Sequence, residues 1–201
     1  MFRFLYAFSY TTRVPFKRAA KKDYTEETLY DYAIGALGRR MRSVAELKRL
    51  MRPRVGHQED SDKMIEAVVE RLKQARYLND AGYAESYSRY RKENEKFGKI
   101  RVINDLKQRG VHGDVINKAI GQTYGDTDEV ELAKKFLERK RVRHPESPKD
   151  FARIVRMLLR AGFSSRSAFR VLNQWKVEPE VLSALEAEVA ETPEKPETEN
   201  E

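Results

Sequence analysis

The chain has 201 residues, enough for one or two domains with a real core; 36% of them are charged and 40% hydrophobic, against a charged norm of about a quarter. No stretch approaches the roughly 20 apolar residues that a membrane-spanning helix needs. With no cysteine in the chain, a disulfide scaffold and a thiolate zinc site are excluded, and a reducing cytoplasm is the expected location. The net charge of +8 hides two opposed parts. Residues 178–201 hold nine Glu and one Lys, a net of −8, while the remainder carries 39 Lys and Arg against 23 Asp and Glu, a net of +16. Such a body seeks polyanions: nucleic acid first, then an anionic membrane surface or an acidic protein.

Residues 1–24 form a first segment. Its first 22 residues carry six Lys and Arg and no acid, and Phe2, Phe4, Tyr6, Phe8 and Tyr10 alternate at strand period with no partner strand elsewhere. The run Thr11-Thr12-Arg13-Val14-Pro15 offers no secretory cleavage site. This leaves a flexible basic aromatic arm or an extension from a misassigned start.

From Thr25 onward the pattern is helical, with Pro and Gly falling between apolar runs. Helix starts follow from capping chemistry, in which a side-chain oxygen accepts from the free amides of the first turn. Ser43 with Glu46 and Asp126 with Glu129 fit the capping box, and Ser147-Pro148-Lys149-Asp150 adds Pro at the first helical position. Gly110 and Gly162 read as stops, each after an Arg-rich last turn. These marks divide the body into about nine short helices. Residues 178–201 form an acidic tail, expected to be mostly disordered because 191–201 contains nothing apolar to bury.

The body repeats itself. Residues 43–55, 99–111 and 151–163 align without a gap: Leu recurs at Leu50, Leu106 and Leu158, an aliphatic at Leu47, Ile103 and Val155, and a hydrophobic past the turn at Val55, Val111 and Phe163. On a helical wheel these positions share one buried face. The helices that lead into them carry single apolar stripes: Leu29, Tyr32, Ala33, Ala36 and Leu37; Tyr83, Ala84, Tyr87 and Tyr90; Val130, Ala133, Phe136 and Leu137. The expected fold is all-α, with tandem three-helix repeats over 25–78, 79–125 and 126–177. A three-helix unit buries little alone, so the repeats should pack end to end in an elongated, curved body.

The face opposite the core carries Lys48, Arg49 and Arg52 on the first middle helix and Arg153, Arg156 and Arg160 on the third. The second middle helix, with Lys99 and Arg101 followed by Asn104, Asp105 and Gln108, is less cationic. Its module places Arg89, Lys92 and Lys96 at i, i+3 and i+7 on the leading helix instead. Further concentrations are Arg39-Arg40-Met41-Arg42 and Arg139-Lys140-Arg141-Val142-Arg143. One charged stripe opposite an apolar one is how any surface helix looks. Recurrence over several modules with few acids interspersed argues for a phosphate-binding surface. The tyrosines, at core spacing, read as packing residues and not as platforms for bases.

Catalytic chemistry is hard to assemble. His57, His112 and His144 stand far apart without ligand-spaced partners, so no metal is expected. Gly110-Val111-His112-Gly113 lacks the Lys and Ser/Thr of a nucleotide-binding loop, and no Ser sits in a nucleophile elbow. Asp126 and Asp128 suit helix N-termini better than acid–base work. The expectation is a binding protein without a cofactor.

Arg76-Tyr77-Leu78-Asn79-Asp80-Ala81-Gly82-Tyr83-Ala84, then Phe97-Gly98-Lys99-Ile100-Arg101, then Leu106-Lys107-Gln108-Arg109-Gly110-Val111, resembles the central signature of the bacterial RecX regulators. Leu37-Gly38-Arg39-Arg40-Met41-Arg42-Ser43-Val44-Ala45-Glu46-Leu47 is similar to that family's entry motif. The resemblance runs from about Thr25 to about Trp175. It implies tandem three-helix repeats and a regulator, foremost an inhibitor, of the RecA recombinase in DNA repair and the SOS response. Such a protein lodges in the groove of the RecA filament on single-stranded DNA and suppresses its ATPase, strand-exchange and coprotease activities. It also implies DNA, single-stranded and in some cases double-stranded, as a direct ligand. A monomer with no membrane partner and no catalytic residues is expected. The alternative is a stand-alone helical DNA-binding protein; an enzyme is the weakest reading. The chain departs from the family in several places: Asn79 stands where an acid is usual, Gly82 where a charged residue is usual, residues 51–63 read as a longer polar connection between helices, and the aromatic arm and acidic tail lie outside the family pattern.

Overall fold

Side-chain caps start most of the helices. Thr25 and Ser43 form capping boxes at the heads of α1 (Glu26–Arg39) and α2 (Val44–Val55), the second with Glu46 as its partner. After α3 (Ser61–Gln74), Asn79 accepts from the amides of Ala81 and Gly82 to open α4 (Asp80–Glu93), so the amide oxygen does the capping an acid would do. Next come α5 (Lys99–Gln108) and α6 (Gly113–Tyr124), then α7 (Glu129–Arg139), capped by Asp128. Ser147 and Ser164 cap α8 (Pro148–Arg160), with Pro148 in its first turn, and α9 (Ser165–Asn173). The structure, a computed structural model, describes residues 24–56 and 60–175. Among them there are nine α-helices and no strand. The readings of the aromatic arm and the acidic tail fall outside the described residues.

Each helix packs chiefly on its neighbours in sequence: α1, α2 and α3 on one another, α4, α5 and α6 likewise, and α7 and α8 both on α9. These are three successive modules. In α5 and α8 the expected core holds at Leu106, Val155 and Leu158, buried beside Val102 and Ile154, while Ile103, expected on the same face, is only partly buried against it. The first middle helix differs from the ungapped repeat. Its buried residues are Leu47, Met51 and Val55, while Leu50 is only partly buried. The reason is helix length: α2 runs to Val55 through Pro53, whereas α5 and α8 stop at Gln108 and Arg160, before an extra residue and a left-handed glycine. The burial register of the first module is therefore shifted by one position, and residues 51–55 belong to helix, not to a connection. Two further corrections concern local choices. The cap of α7 is Asp128 and not Asp126, since Asp128 Oδ1 accepts from Val130 and Glu131. Tyr90, expected on the buried α4 stripe, is 55% exposed, whereas Tyr83 and Ala84 of the same stripe are buried.

The modules join by a recurring device: the N-terminus of one middle helix sits on the C-terminal turn of the next. At the second junction, Gly98 N donates to Ala161 O (2.9 Å) and Ile100 N to Gly162 O (3.2 Å). The orphan amides of α5, which has no side-chain cap, are thus satisfied by the orphan carbonyls of α8. A Cβ on Gly98 would lie 2.1 Å from Gly162 O, and Gly162 itself has φ +88, so both positions require glycine. At the first junction, Ser43 Oγ donates to Arg109 O (2.6 Å), and Gly110 (φ +74) leaves room for Ala45.

The two junctions differ in what lies behind the backbone. Modules two and three share one apolar core, through which Phe97, Phe136 and Phe163 meet in sequence, first tilted and then edge-on, whereas module one has its own, built on Leu29, Leu47, Met51, Val68 and Leu72.

Candidate nucleic-acid interface

The sixteen cations singled out from the sequence do not form one uniform surface, because folding consumes many of them. In module one, Arg42 turns back to donate from Nε to Ala36 O (3.4 Å), closing the end of α1. Lys48 Nζ is 2.5 Å from Glu66 on α3, Arg49 donates to Gln108 O at the tip of α5 (3.2 Å), and Arg52 lies 3.9 Å from Asp62. Arg39 and Arg40 stay exposed.

Module two shows the same pattern. Arg89 pairs with Glu85 one turn earlier, and Lys92 Nζ donates to Thr123 O (2.6 Å) above the Tyr124 ring. Arg101 Nε bonds Asp105 (3.1 Å). Lys96 has φ +56 and lines an open cleft of about 280 Å³ with Lys92 and Lys135, facing Glu93, Asp128 and Glu131. With acids and cations in equal number, that cleft has no net preference for an anion. Lys99 is exposed at the head of α5. It contributes favourably to the carboxylate of Glu129. That carboxylate would be raised by burial, but donations from Ser167 and from the amide and hydroxyl of Ser164 hold it below the usual carboxylate range.

Module three is different. On α8, Arg153, Arg156 and Arg160 are all exposed opposite Ile154, Val155 and Leu158; Arg153 has a rim partner in Asp150 (3.3 Å). Next along the chain, α9 adds Arg166 and Arg170, both exposed and one helical turn apart. Sequence reasoning passed over these two because it followed the leading and middle helices and the densest basic runs, not the third helix of each repeat; the i, i+4 spacing after the Ser164 cap was the signal. Residues 148–173 hold six Lys and Arg and one acid, Asp150. Upstream, Arg139 pairs with Glu95 across the second junction (3.3 Å), while Arg143 is exposed. Each exposed guanidinium fork of such a surface can take two phosphate oxygens at once. Among the described residues no group of His, Asp and Glu could hold a metal ion, and no helix is long and apolar enough to cross a membrane.

Comparison with known proteins agrees with this architecture. The family pattern described as RecX, second three-helix domain, matches residues 79–120, which are α4, α5 and most of α6. The regulatory protein RecX of Pseudomonas entomophila is 30% identical over 142 residues, covering 70% of this chain and 87% of that protein. That of Ralstonia nicotianae is 30% identical over 140 residues, covering 70% and 83%. The relative in Geobacillus thermodenitrificans is 31% identical over 137 residues, and this chain spans only 49% of its length. Among solved structures, RecX from Lactobacillus salivarius superposes with a TM-score of 0.57 at 24% identity, over 75% of this chain and 96% of that one, which shows the shared fold. With 30% identity spread over nearly the whole of the Pseudomonas relative, the chain belongs to the RecX family of regulatory proteins.

Proposed function

We propose that this chain regulates a RecA-type recombinase by lodging in the groove of its filament on single-stranded DNA, and that it acts there as an inhibitor of ATP hydrolysis, strand exchange and coprotease activity in DNA repair and the SOS response. The observation that carries the DNA part of this reading is the α8–α9 face, where Arg153, Arg156, Arg160, Arg166 and Arg170 are exposed with Asp150 as the one acid between residues 148 and 173. Such a face is suited to a phosphate backbone. The protein acts as a cytoplasmic monomer without a cofactor. Arg39, Arg40, Lys99 and Arg143, also exposed, supply secondary contacts.

The deciding experiment is recombinase ATPase on single-stranded DNA with this protein titrated in. Dose-dependent loss of hydrolysis supports the reading, and unchanged hydrolysis at saturating protein overturns it. The stand-alone alternative, DNA binding with no recombinase partner, is favoured by the same face and is separated by that result. Direct binding is followed by its salt dependence, with a log–log slope near −0.7 per phosphate contact on a single strand. Replacing Arg153, Arg160, Arg166 and Arg170 by Gln should weaken binding to all sequences alike and flatten the slope. An unaltered slope would place the DNA contact on another face.

A further inference from the structure

We propose that the chain is two bodies joined by a polar latch, module one on one side and the fused modules two and three on the other, with Arg109 as the latch's central residue. The argument begins with the cores. A continuous apolar core runs from Tyr83 to Leu172 and includes no residue of α1, α2 or α3; those three helices close a separate core of their own. Apolar burial is what makes two elements move as one, and across the first junction it is replaced by directed polar contacts.

Those contacts cluster around Arg109. Arg109 Nη1 donates to Glu46 Oε1 in module one (2.7 Å) and to the Tyr83 hydroxyl in its own module (3.0 Å), with the guanidinium lying over the Tyr87 ring. Its carbonyl accepts from Ser43 Oγ, and the preceding carbonyl, of Gln108, accepts from Arg49. On the other flank Asp80 Oδ1 accepts from Val44 N (2.8 Å). Beside the close approach of Ala45 to Gly110, each contact that crosses the junction is a hydrogen bond or ion pair at the foot of α2, and water can replace each when the junction opens. The second junction cannot open in this way, because Gly98 and Gly162 meet backbone to backbone in front of the ring contacts of Phe97, Phe136 and Phe163.

Module one therefore swings about the link between Leu78, the last buried residue of its own core, and Asn79 at the head of α4, while its own packing and that of the fused pair stay intact. The closed state is the one in which Arg109 holds Glu46. This is a property of the free chain, whatever its partner.

The chain lacks cysteine, so labels can be placed at will, and exposed positions on each body are available in Ala67, Asn117 and Asn173. Spin labels at Ala67→Cys with Asn117→Cys span the latch; labels at Asn117→Cys with Asn173→Cys span the fused junction. Pulsed dipolar measurements on the full chain should give a narrow distance distribution for the second pair. For the first pair they should give a wider one that broadens further and gains a second maximum in Arg109→Met. The milder Glu46→Gln keeps the guanidinium over its tyrosines and should shift the same pair in the same direction, guarding against a variant that merely misfolds module two. Equal widths for the two pairs, or a first pair that neither substitution alters, would overturn the latch.

Discussion

Gly98 and Gly162 show how much a missing side chain can decide. A Cβ at Gly98 would stand 2.1 Å from a backbone oxygen that cannot give way without parting modules two and three. Gly98→Ala should therefore cost about 1–3 kcal/mol or more in denaturant unfolding. Gly35, inside α1, has nothing within 4 Å of the same added atom, and Gly35→Ala should gain roughly 0.5–1 kcal/mol through the lost freedom of the unfolded chain. A stable Gly98→Ala protein would mean that the junction is looser than described. Glu129 supplies a pH dependence. Its carboxyl is held below the ordinary range in the folded chain, so its contribution is present above the unfolded carboxylate pKa and is lost as pH falls through the folded value. The wild-type advantage in melting temperature over Glu129→Gln should be largest near neutral pH and should shrink as the solution is acidified through the carboxylate range; a gap that grows on acidification would contradict the hydrogen-bonded assignment.

At the scale of helices, the repeat was legible wherever the helix ended in the same way. The basic residues and glycines at Lys107-Gln108-Arg109-Gly110 and Arg160-Ala161-Gly162 marked two equivalent C-termini, and Leu106 and Leu158 followed correctly into the core. For α2 the ungapped alignment placed Leu50 where Met51 belongs, because residues 51–63 read as a connection, whereas 51–55, with Pro53 among them, continue α2 and 61–63 already belong to α3. Sequence pattern reports the period of an apolar stripe but not the length of the helix carrying it. The cationic site was legible in the same partial way: charge clustering located α8, yet nothing in the spacing told that Arg42, Lys92 and Arg49 would be spent on carbonyls. That depends on which helix ends come together in space. The corrected register has a direct consequence. Leu47→Ala and Met51→Ala should each cost about 2–5 kcal/mol in module one, and Leu50→Ala clearly less, by thermal or denaturant unfolding. An equal loss at Leu50 would restore the ungapped register.

For the whole molecule, the decisive feature is that three similar modules make two cores. A repeat protein whose units all shared one core would transmit the loss of any buried side chain throughout, whereas separate cores confine it to one side of the polar junction. Leu47 and Leu158 are both completely buried, one in each core. Hydrogen exchange on the two Leu→Ala variants should then give opposite maps. Leu47→Ala should lower protection in α1, α2 and α3 and leave α4 to α9 nearly unchanged. Leu158→Ala should lower it through α4 to α9 together, across the second junction, because Phe97, Phe136 and Phe163 tie those helices into a single cooperative unit. The asymmetry between the two maps is the critical observation. If Leu47→Ala deprotected all nine described helices to the same extent, the Ser43, Glu46 and Asp80 contacts would be carrying as much cooperativity as an apolar core, and the chain would have to be treated as one thermodynamic domain.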